Sequence, residues 1–247
     1  MKYVGSKNKI SKYIVPIIQG YIDNNNIHNY YEPFVGGGNV IDKIDCENKY
    51  GSDINKYLIA LLKQAQTDVS VFPTTYDEEF YTYIRKHYLD ANFEYPDWYV
   101  GLVGFSTYGA KFFGGYPRGY KPDGITKRDI VNESIRNIIK QSPNLKGIKF
   151  ACQNYTDTKN IKNFVIYCDP PYRNTLKYSG GDEFDHNEFY NWCIRMATNN
   201  IVLISEYTMP HENFKCIWEK DVVCGIDNAN NNTTKRTEKL FIVKHND

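Results

Sequence analysis

The sequence lacks an excess of charge of either sign. Its 247 residues include 30 Lys and Arg against 29 Asp and Glu, a formal net charge of +1 at pH 7. A balance this close does not require a polyanionic partner. Any surface that binds nucleic acid therefore has to be a local patch of basic side chains.

Long apolar runs are also missing. The chain contains no stretch of 18 apolar residues and no signal peptide. Such a stretch is the minimum for a membrane-spanning helix, and a signal peptide would mark an exported protein. We therefore expect a cytoplasmic protein without a membrane partner.

No C-x-x-C pair is present. The six cysteines are scattered along the chain, at Cys46, Cys152, Cys168, Cys193, Cys216 and Cys224. Cys152, Cys168 and Cys216 lie inside or beside predicted strands. We expect free, buried thiols in a reducing cytosol, without a zinc site, another metal site or a disulfide.

What the chain does contain is an alternation of strand and helix patterns. Strand patterns cover 30–34, 49–52, 147–152, 163–168 and 201–205. Helical spacing covers 10–22, 57–66, 130–139 and 187–198, and Val40-Ile41 predicts one more helix start. The alternation predicts an α/β fold with a mostly parallel sheet and helices on both faces.

The helix and loop boundaries also have sequence signals. Asn55 is a candidate cap for the second helix, and Asp129 or Asn132 for the third. The last apolar segments, 214–223 and 239–243, predict a closing antiparallel pair with a solvated loop at 227–236. At this length we expect one domain with a smaller insert.

One strand pattern, 163–168, stops at Asp169-Pro170-Pro171-Tyr172. Each proline fixes φ near −65° and removes a backbone donor, so no further ladder forms. The Asp169 and Pro170 carbonyls are then expected to project from the sheet edge with the Asp169 carboxylate, as acceptors beside the Tyr172 ring. This arrangement suits a planar molecule with an NH2 group. The alternative is an ordinary strand stop followed by a tyrosine that packs in the core.

A second stretch, Glu32-Pro33-Phe34-Val35-Gly36-Gly37-Gly38, also follows a strand pattern. Successive glycines let the backbone turn tightly and approach a ligand closely. The next strand ends at Asp53, about twenty residues later, where nucleotide-binding α/β sheets place an acid that accepts from ribose hydroxyls. A nicotinamide-dependent oxidoreductase shares these features but leaves Asp169–Tyr172 unexplained.

Together the two stretches resemble the S-adenosylmethionine-dependent adenine-N6 DNA methyltransferases of the Dam type, the alpha group of the D12 class. Lys2-Tyr3-Val4-Gly5-Ser6-Lys7 is similar to that family's opening Lys-Trp-x-Gly-Gly-Lys, with Tyr3 and Ser6 as departures. The resemblance implies a Rossmann-like methyltransferase sheet with S-adenosyl-L-methionine as cofactor. It also implies a phage or restriction-modification context.

The resemblance further implies roles for individual residues. Tyr3 and Lys7 are expected near the methionine end of the cofactor, and Glu32 near its charged portion. The stretch Pro33, Phe34, Gly36, Gly37 and Gly38 is expected to frame the cofactor, together with Asp53 and Asp169. Tyr155 or Asp157 is expected at the adenine ring. For Lys7 the alternative is an ordinary solvent-facing lysine.

Residues 67–135 change in character, with crowded aromatic residues and frequent glycines. Lys111, Tyr116, Arg118 and Lys121 belong to a stretch of interleaved cations and rings. Cations meet phosphates, and rings stack on bases or wedge between them. The alternative is an aromatic mini-core under a glycine-rich loop. The resemblance places a smaller, mainly helical and loop target-recognition insert at 57–135, between catalytic parts at 1–56 and 136–247.

Further DNA contacts are expected after the Asp169 motif. Tyr178 lies in a polar stretch, 173–185, which is expected to fold over the target base, and His186 is a helix cap, a phosphate contact or neither. Lys235 and Arg236 form the basic end of the 227–236 loop, where a solvated surface is the alternative. The expected partner is double-stranded DNA, bound by a monomer or weak dimer, with a cognate restriction endonuclease as a further partner.

The expected chemistry is direct transfer of a methyl group to an adenine amine. Hydrogen bonds to Asp169 and to the Pro170 carbonyl localise the amine lone pair, and in-line attack needs no covalent intermediate. The base has to be flipped out of the duplex, and Tyr172 then stacks on it. Alternatives are a cytosine-N4, RNA adenine or protein glutamine methyltransferase, or a catalytically silent DNA-binding module. Asp169 favours adenine, because the cytosine-N4 and glutamine enzymes usually carry Ser or Asn there.

Overall fold

The structure is a computed structural model, and it describes residues 1–120, 124–173, 184–227 and 232–244. For Tyr108, 223–227 and 232–235 it describes the backbone alone. The chain divides into two compact units. The first contains Met1–Val15, Val35–Ile44 and Lys49–Asn154, and the second contains Pro16–Phe34, Asp45–Asn48 and Tyr155–Asp247.

The described residues form an α/β fold. The α-helices are α1 (Ser11–Asn24), α2 (Lys56–Thr67), α3 (Glu78–His87), α4 (Asp97–Phe105), α5 (Ile130–Leu145) and α6 (His186–Ala197). The strands are β1 (Asn29–Glu32), β2 (Asn48–Asp53), β3 (Lys149–Cys152), β4 (Phe164–Cys168), β5 (Ile201–Glu206), β6 (Phe214–Asp227) and β7 (Asn232–Val243). Short 3-10 helices cover Lys7–Lys9, Ile41–Lys43, Tyr108–Ala110 and Tyr155–Asp157.

In the second unit, five strands form one sheet in the order β1-β4-β5-β7-β6. β1 pairs in parallel with β4, and β4 pairs in parallel with β5. β7 is antiparallel to both β5 and β6. The central strands are buried, and Tyr30, Tyr167, Phe189 and Phe214 are among the largest fully buried side chains. The predicted C-terminal antiparallel pair is confirmed.

In the first unit, β2 pairs in parallel with β3 over four residues, Tyr50 to Asp53 on β2 and Lys149 to Cys152 on β3. Helix α2 packs against α4 and α5 and against β3. Its buried face contains Leu58, Leu61 and Leu62, at the helical spacing that the sequence shows. The mostly parallel α/β architecture predicted from the sequence is therefore confirmed.

Two caps predicted from the sequence are observed. The Asn55 side chain accepts from the N–H groups of Tyr57 and Leu58, at 3.0 and 3.1 Å. Asp129 accepts from the N–H of Asn132 at 2.8 Å, so Asp129 and not Asn132 caps α5. Each contact satisfies one of the backbone donors that a helix N-terminus leaves without a partner in the helix.

The aromatic residues of 67–135 pack mainly on one another. Tyr81 contacts Phe113 and Tyr116 at 5.9 and 5.8 Å between ring centroids, and Phe112 also stacks on Tyr57 of α2 at 5.4 Å. The described part of this segment contains α3 and α4, in keeping with the mainly helical and loop character expected here, although the sequence patterns gave no bounds for either helix. The aromatic mini-core is therefore present, and the boundaries of a target-recognition insert stay a prediction.

Two local predictions are wrong. The helix expected from Val40-Ile41 is a 3-10 turn, because only four residues separate Lys43 from the start of β2. The loop expected at 227–236 is much shorter, since β6 continues to Asp227 and β7 begins at Asn232. Threonines at 233 and 234 suit an antiparallel ladder.

The expectation of buried thiols is also wrong in part. Cys168 and Cys193 are buried, whereas Cys152 and Cys216 are exposed. Cys152 is the exposed last residue of β3. Cys216 lies on β6, which is the edge strand of its sheet. No described helix has both the length and the apolar character needed to cross a membrane.

The Asn55 cap gives a testable prediction. Replacing Asn55 with Ala removes the acceptor for two N–H groups, so we expect the free energy of unfolding to fall by about 1 kcal/mol. Urea denaturation followed by circular dichroism measures the change. Lys63→Ala, at an exposed position within α2, is the control and should change stability by less than about 0.5 kcal/mol. Equal effects of both variants would contradict a capping role.

Candidate active site

The predicted site residues are divided between the two units. Tyr3, Lys7, Gly36, Gly37, Gly38 and Asp53 belong to the first unit. Glu32, Pro33, Phe34, Tyr155, Asp157, Asp169, Pro170, Pro171 and Tyr172 belong to the second. Each group has its own supporting contacts.

In the first unit, the glycine turn needs glycine for two different reasons. Gly36 and Gly38 have φ of 49° and 66°, a region that side chains disfavour. Gly37 has no positive φ, but a Cβ there would lie 2.7 Å from Asn39 Nδ2 and 2.9 Å from Tyr3 Cβ. Backbone conformation and close packing therefore both select glycine in this turn.

The N-terminal segment lies against the glycine turn. A Cβ on Gly36 would lie 2.9 Å from Tyr3 Cε1, so the Tyr3 ring covers this glycine. The Tyr3 ring also contacts Phe105, at 5.6 Å between centroids. Lys7 is buried and its Nζ donates to the Gly5 carbonyl at 3.3 Å. The alternative of a solvent-facing Lys7 is therefore wrong, and the cofactor roles of both residues stay predictions.

Asp53, at the end of β2, holds the glycine turn through its carboxylate. Its Oδ2 accepts from the Gly36 N–H at 3.3 Å, and its Oδ1 accepts from the Asn55 N–H at 3.0 Å. Burial raises the pKa of Asp53 above its usual range, and these N–H groups offset part of the rise. A ribose hydroxyl can donate to the remaining lone pairs of this carboxylate.

In the second unit, the residues at the end of β1 and just after it are buried or half-buried. Glu32 is 3% exposed and accepts from the Tyr30 hydroxyl at 2.7 Å. Phe34 contacts Tyr155, with ring centroids 5.2 Å apart, so two of the predicted cofactor residues are brought together. Burial raises the pKa of Tyr155 to about 12. Asp157 is exposed, and the choice between Tyr155 and Asp157 as the adenine contact stays open.

The Asp169 motif leaves the sheet directly after β4. Asp169 is half-buried and Pro170 is buried. The Tyr172 hydroxyl donates to Glu238 Oε2 at 3.0 Å, and the Tyr172 ring meets the Tyr207 ring edge to face at 4.6 Å. Burial raises the pKa of Tyr172 well above its usual value, with the charges of Asp169 and Glu238 adding to the effect. The phenol is therefore a hydrogen-bond donor at every physiological pH.

The two motif segments in the second unit, Glu32–Phe34 and Asp169–Tyr172, lie at the ends of neighbouring parallel strands. Tyr31 on β1 pairs with Ile166 on β4 in parallel register. The next residues along each strand lead to Glu32-Pro33-Phe34 and to Asp169. Carboxyl ends of adjacent parallel strands meet at one edge of a sheet, which is where α/β proteins bind ligands. Both motifs therefore begin at the same edge.

The predicted DNA contacts are only partly described. Lys111 and Arg118 are exposed, and the Arg118 Nε donates to Glu78 Oε2 at 3.1 Å. Tyr116 faces the mini-core, where its hydroxyl donates to the Tyr76 carbonyl at 3.1 Å. Arg236 is exposed and donates to the Tyr207 hydroxyl at 3.2 Å. These contacts leave the DNA roles of all four residues as predictions.

Three other predicted contacts cannot be compared with the structure. Lys121 and Tyr178 lie outside the described residues, as does most of the 173–185 stretch, and the Lys235 side chain is not described. His186 is the first residue of α6, whose cap is Asp185, so His186 is not the cap.

Sequence reasoning missed several residues beside the predicted ones. Ile54 follows Asp53 and is 72% exposed, an unusual position for a large aliphatic side chain. Glu206, Tyr207 and Glu238 contact the Asp169 motif or the residue after it. Of these residues, only Ile54 had a signal in the sequence, because it is an apolar residue directly after Asp53, the candidate acceptor for ribose hydroxyls. Glu206 and Glu238 could be identified only from the structure, because the pairing of β5 with β7 places them beside the Asp169 motif.

An α/β fold with these two motifs at its strand ends defines the class of Rossmann-like methyltransferases. Residues 3–191 match the family of D12 class N6 adenine-specific DNA methyltransferases. Because this match covers more than half of the chain, the protein belongs to that family. The resemblance noted from the motifs is thereby confirmed.

Individual relatives agree with this family. The chain is 28% identical over 165 residues to the DNA adenine methylase of Salmonella typhi and to that of Salmonella typhimurium, covering 57% of this chain and 55% of each relative. The chain thus spans about half the length of these curated relatives. It is also 25% identical over 223 residues to the type II methyltransferase M.MjaIII of Methanocaldococcus jannaschii, covering 76% of this chain and 74% of that protein.

The packing around Gly37 gives a second prediction. Gly37→Ala forces a methyl group against Asn39 and Tyr3, so we expect a loss of about 1–3 kcal/mol in the free energy of unfolding. Gly20→Ala, within α1, is the matched control because no atom lies within 4 Å of its added Cβ. It should instead stabilise the protein by about 0.5–1 kcal/mol. Thermal and urea unfolding compare the two, and a neutral Gly37→Ala would show that the turn adapts.

Proposed function

We propose that this protein transfers a methyl group from S-adenosyl-L-methionine to the N6 amine of an adenine flipped out of double-stranded DNA. The observation that carries the proposal is the parallel pairing of β1 with β4, which starts Glu32–Phe34 and Asp169–Tyr172 at one sheet edge. Family membership supports the same reaction.

The residues of the first unit fit the cofactor by their chemistry. The Asp53 carboxylate is an acceptor for ribose hydroxyls, and exposed Ile54 offers an apolar surface for a base. Three glycines let a ligand approach the backbone closely. The cofactor would supply an electrophilic methyl group on a positively charged sulfur. In the second unit, Glu32 is a buried carboxylate that suits this positive charge.

The Asp169 motif supplies acceptors for the target amine. The Asp169 carboxylate and the Pro170 carbonyl accept hydrogen bonds from the two N–H groups of the amine, which favours a tetrahedral nitrogen with a localised lone pair. The Tyr172 ring stacks on the extruded base and holds the nitrogen in line for transfer. Water or buffer takes up the released proton after transfer, so no covalent intermediate on the enzyme is required.

DNA binding is proposed to involve exposed basic side chains, among them Lys111, Arg118 and Arg236. We propose a monomer or weak dimer on DNA in the cytoplasm. Pairing with a restriction endonuclease is consistent with similarity to a protein named as a type II methyltransferase. Mass spectrometry of nucleosides from cells that express the chain tests the product. N4-methylcytosine, or N6-methyladenine in RNA alone, would overturn the proposal, and sequencing of modified adenines gives the target site.

Asp169 and Tyr172 give the third prediction. We expect Asp169→Ala to lower transfer at least a hundredfold, the scale for loss of a group that stabilises the reacting atoms, while calorimetry still detects cofactor binding. Tyr172→Ala should weaken engagement of the target base more than cofactor affinity. A tritiated-methyl assay measures transfer.

Glu212→Ala, an exposed carboxylate in the same unit, is the control for both variants and should retain wild-type transfer. Retained methylation by Asp169→Ala would defeat the catalytic assignment. Equal losses of base and cofactor binding in Tyr172→Ala would argue against stacking.

The raised pKa of Asp53 gives the fourth prediction, a pH dependence of cofactor affinity. Ribose hydroxyls bind the ionised carboxylate more strongly than the protonated acid, so affinity should be highest at neutral pH and fall as pH drops through the raised pKa. The decline therefore begins at a higher pH than the ordinary Asp value of 3.8 implies. Calorimetric titrations from pH 8 to pH 5 measure it. Asp53→Asn should bind more weakly and show a flatter profile, and an unchanged profile would exclude Asp53 as the ribose acceptor.

A further inference from the structure

The Tyr172 side chain is held by residues that follow it far along the chain. Its hydroxyl donates to Glu238 Oε2 at 3.0 Å, and Glu238 is a β7 residue that is 8% exposed. A buried carboxylate is costly to desolvate unless hydrogen bonds compensate it. The contact therefore stabilises both groups and fixes the outer end of the tyrosine ring.

A second contact fixes the plane of the same ring. The Tyr207 ring lies at 88° to the Tyr172 ring, with centroids 4.6 Å apart. Tyr207 is itself held by Arg236, whose guanidinium lies 5.7 Å from the Tyr207 ring centre and donates to its hydroxyl at 3.2 Å. An edge-to-face pair leaves Tyr172 little freedom to rotate.

The backbone after the motif is held by another buried carboxylate. Glu206 is 1% exposed, and its two oxygens accept from the N–H groups of Arg173 at 3.2 Å and Tyr207 at 2.7 Å. Glu206 ends β5, which pairs with β7 through Glu206 and Lys239. The side chain and the following backbone of Tyr172 are thus both tied to the C-terminal strands.

From these contacts we infer that Glu238 is a positioning residue for methyl transfer, acting through Tyr172. It holds the aromatic ring in the orientation needed to stack on the target base, and Tyr207 supports the ring from the side. The inference rests on the proposed function. It also extends that function to a part of the chain beyond the family match, which ends at residue 191.

The test is a double-mutant cycle between Tyr172 and Glu238. We expect Glu238→Ala to lower kcat on target DNA about tenfold to a hundredfold, the scale for a hydrogen bond to a charged group. The cofactor KM should stay within about twofold, since Glu238 acts on the target base through Tyr172. Glu238→Gln keeps an acceptor oxygen and should lose clearly less than Glu238→Ala.

The decisive variants are Tyr172→Phe and Tyr172→Phe/Glu238→Ala. If Glu238 acts through the Tyr172 hydroxyl, the double variant should be no slower than Glu238→Ala alone, within about threefold. Fluorescence of 2-aminopurine at the target adenine should show less stable base extrusion in all variants except Glu238→Gln. The control is Glu219→Ala, a carboxylate on the adjacent β6 whose side chain is 62% exposed.

The outcomes separate the two proposals. An inactive wild-type protein would overturn the proposed function and the positioning role with it. An active wild type with additive losses in the cycle, or with Glu238→Gln as impaired as Glu238→Ala, would overturn the positioning role alone. Urea unfolding of each variant is measured in parallel. If Glu238→Ala does not fold, Tyr172→Phe is the decisive variant, because it removes the same hydrogen bond and should lower kcat about tenfold to a hundredfold; a wild-type kcat for Tyr172→Phe would overturn the positioning role.

Discussion

The parallel pairing of β1 with β4 is the constraint on which the proposed chemistry depends. A parallel register sends both strands out of the sheet on the same side, so Glu32 and Asp169 begin their loops at one edge. A shift of this pairing by one residue would turn every side chain of a strand to the opposite face. Fully buried Tyr30 and Tyr167 on these strands make such a shift costly. The site is therefore specified by the core beneath it.

Buried carboxylates around the site accept hydrogen bonds from hydroxyl and backbone N–H groups. Glu32 accepts from a tyrosine hydroxyl, Asp53 from two backbone N–H groups and Glu206 from two more. Neutral donors compensate a carboxylate without cancelling its charge. These hydrogen bonds offset part of the cost of burying each carboxylate.

The sequence predicted the elements with strong periodic or capping signals. Strand β4 and its stop at the paired prolines, helix α2 with its Asn55 cap and the closing antiparallel pair are all observed. The position of the glycine turn was predicted correctly, but the element after it is only a 3-10 turn. Too few residues separate this turn from β2 for an α-helix to form, whatever their helix propensity. A mainly helical and loop insert was expected, but the bounds of α3 and α4 were not predicted because their aromatic residues obscure the periodicity. Glu206 and Glu238 could not be found, since only strand register brings them to Tyr172 and Arg173.

Ile54 has a thermodynamic consequence that follows from its exposure alone. An aliphatic side chain that is 72% exposed orders water around it while no ligand covers it. A flat ring placed on Ile54 would release this water and lower the heat capacity of the complex. The enthalpy of cofactor binding would then grow more favourable on warming. The enthalpy and the entropy of cofactor binding would then both change with temperature.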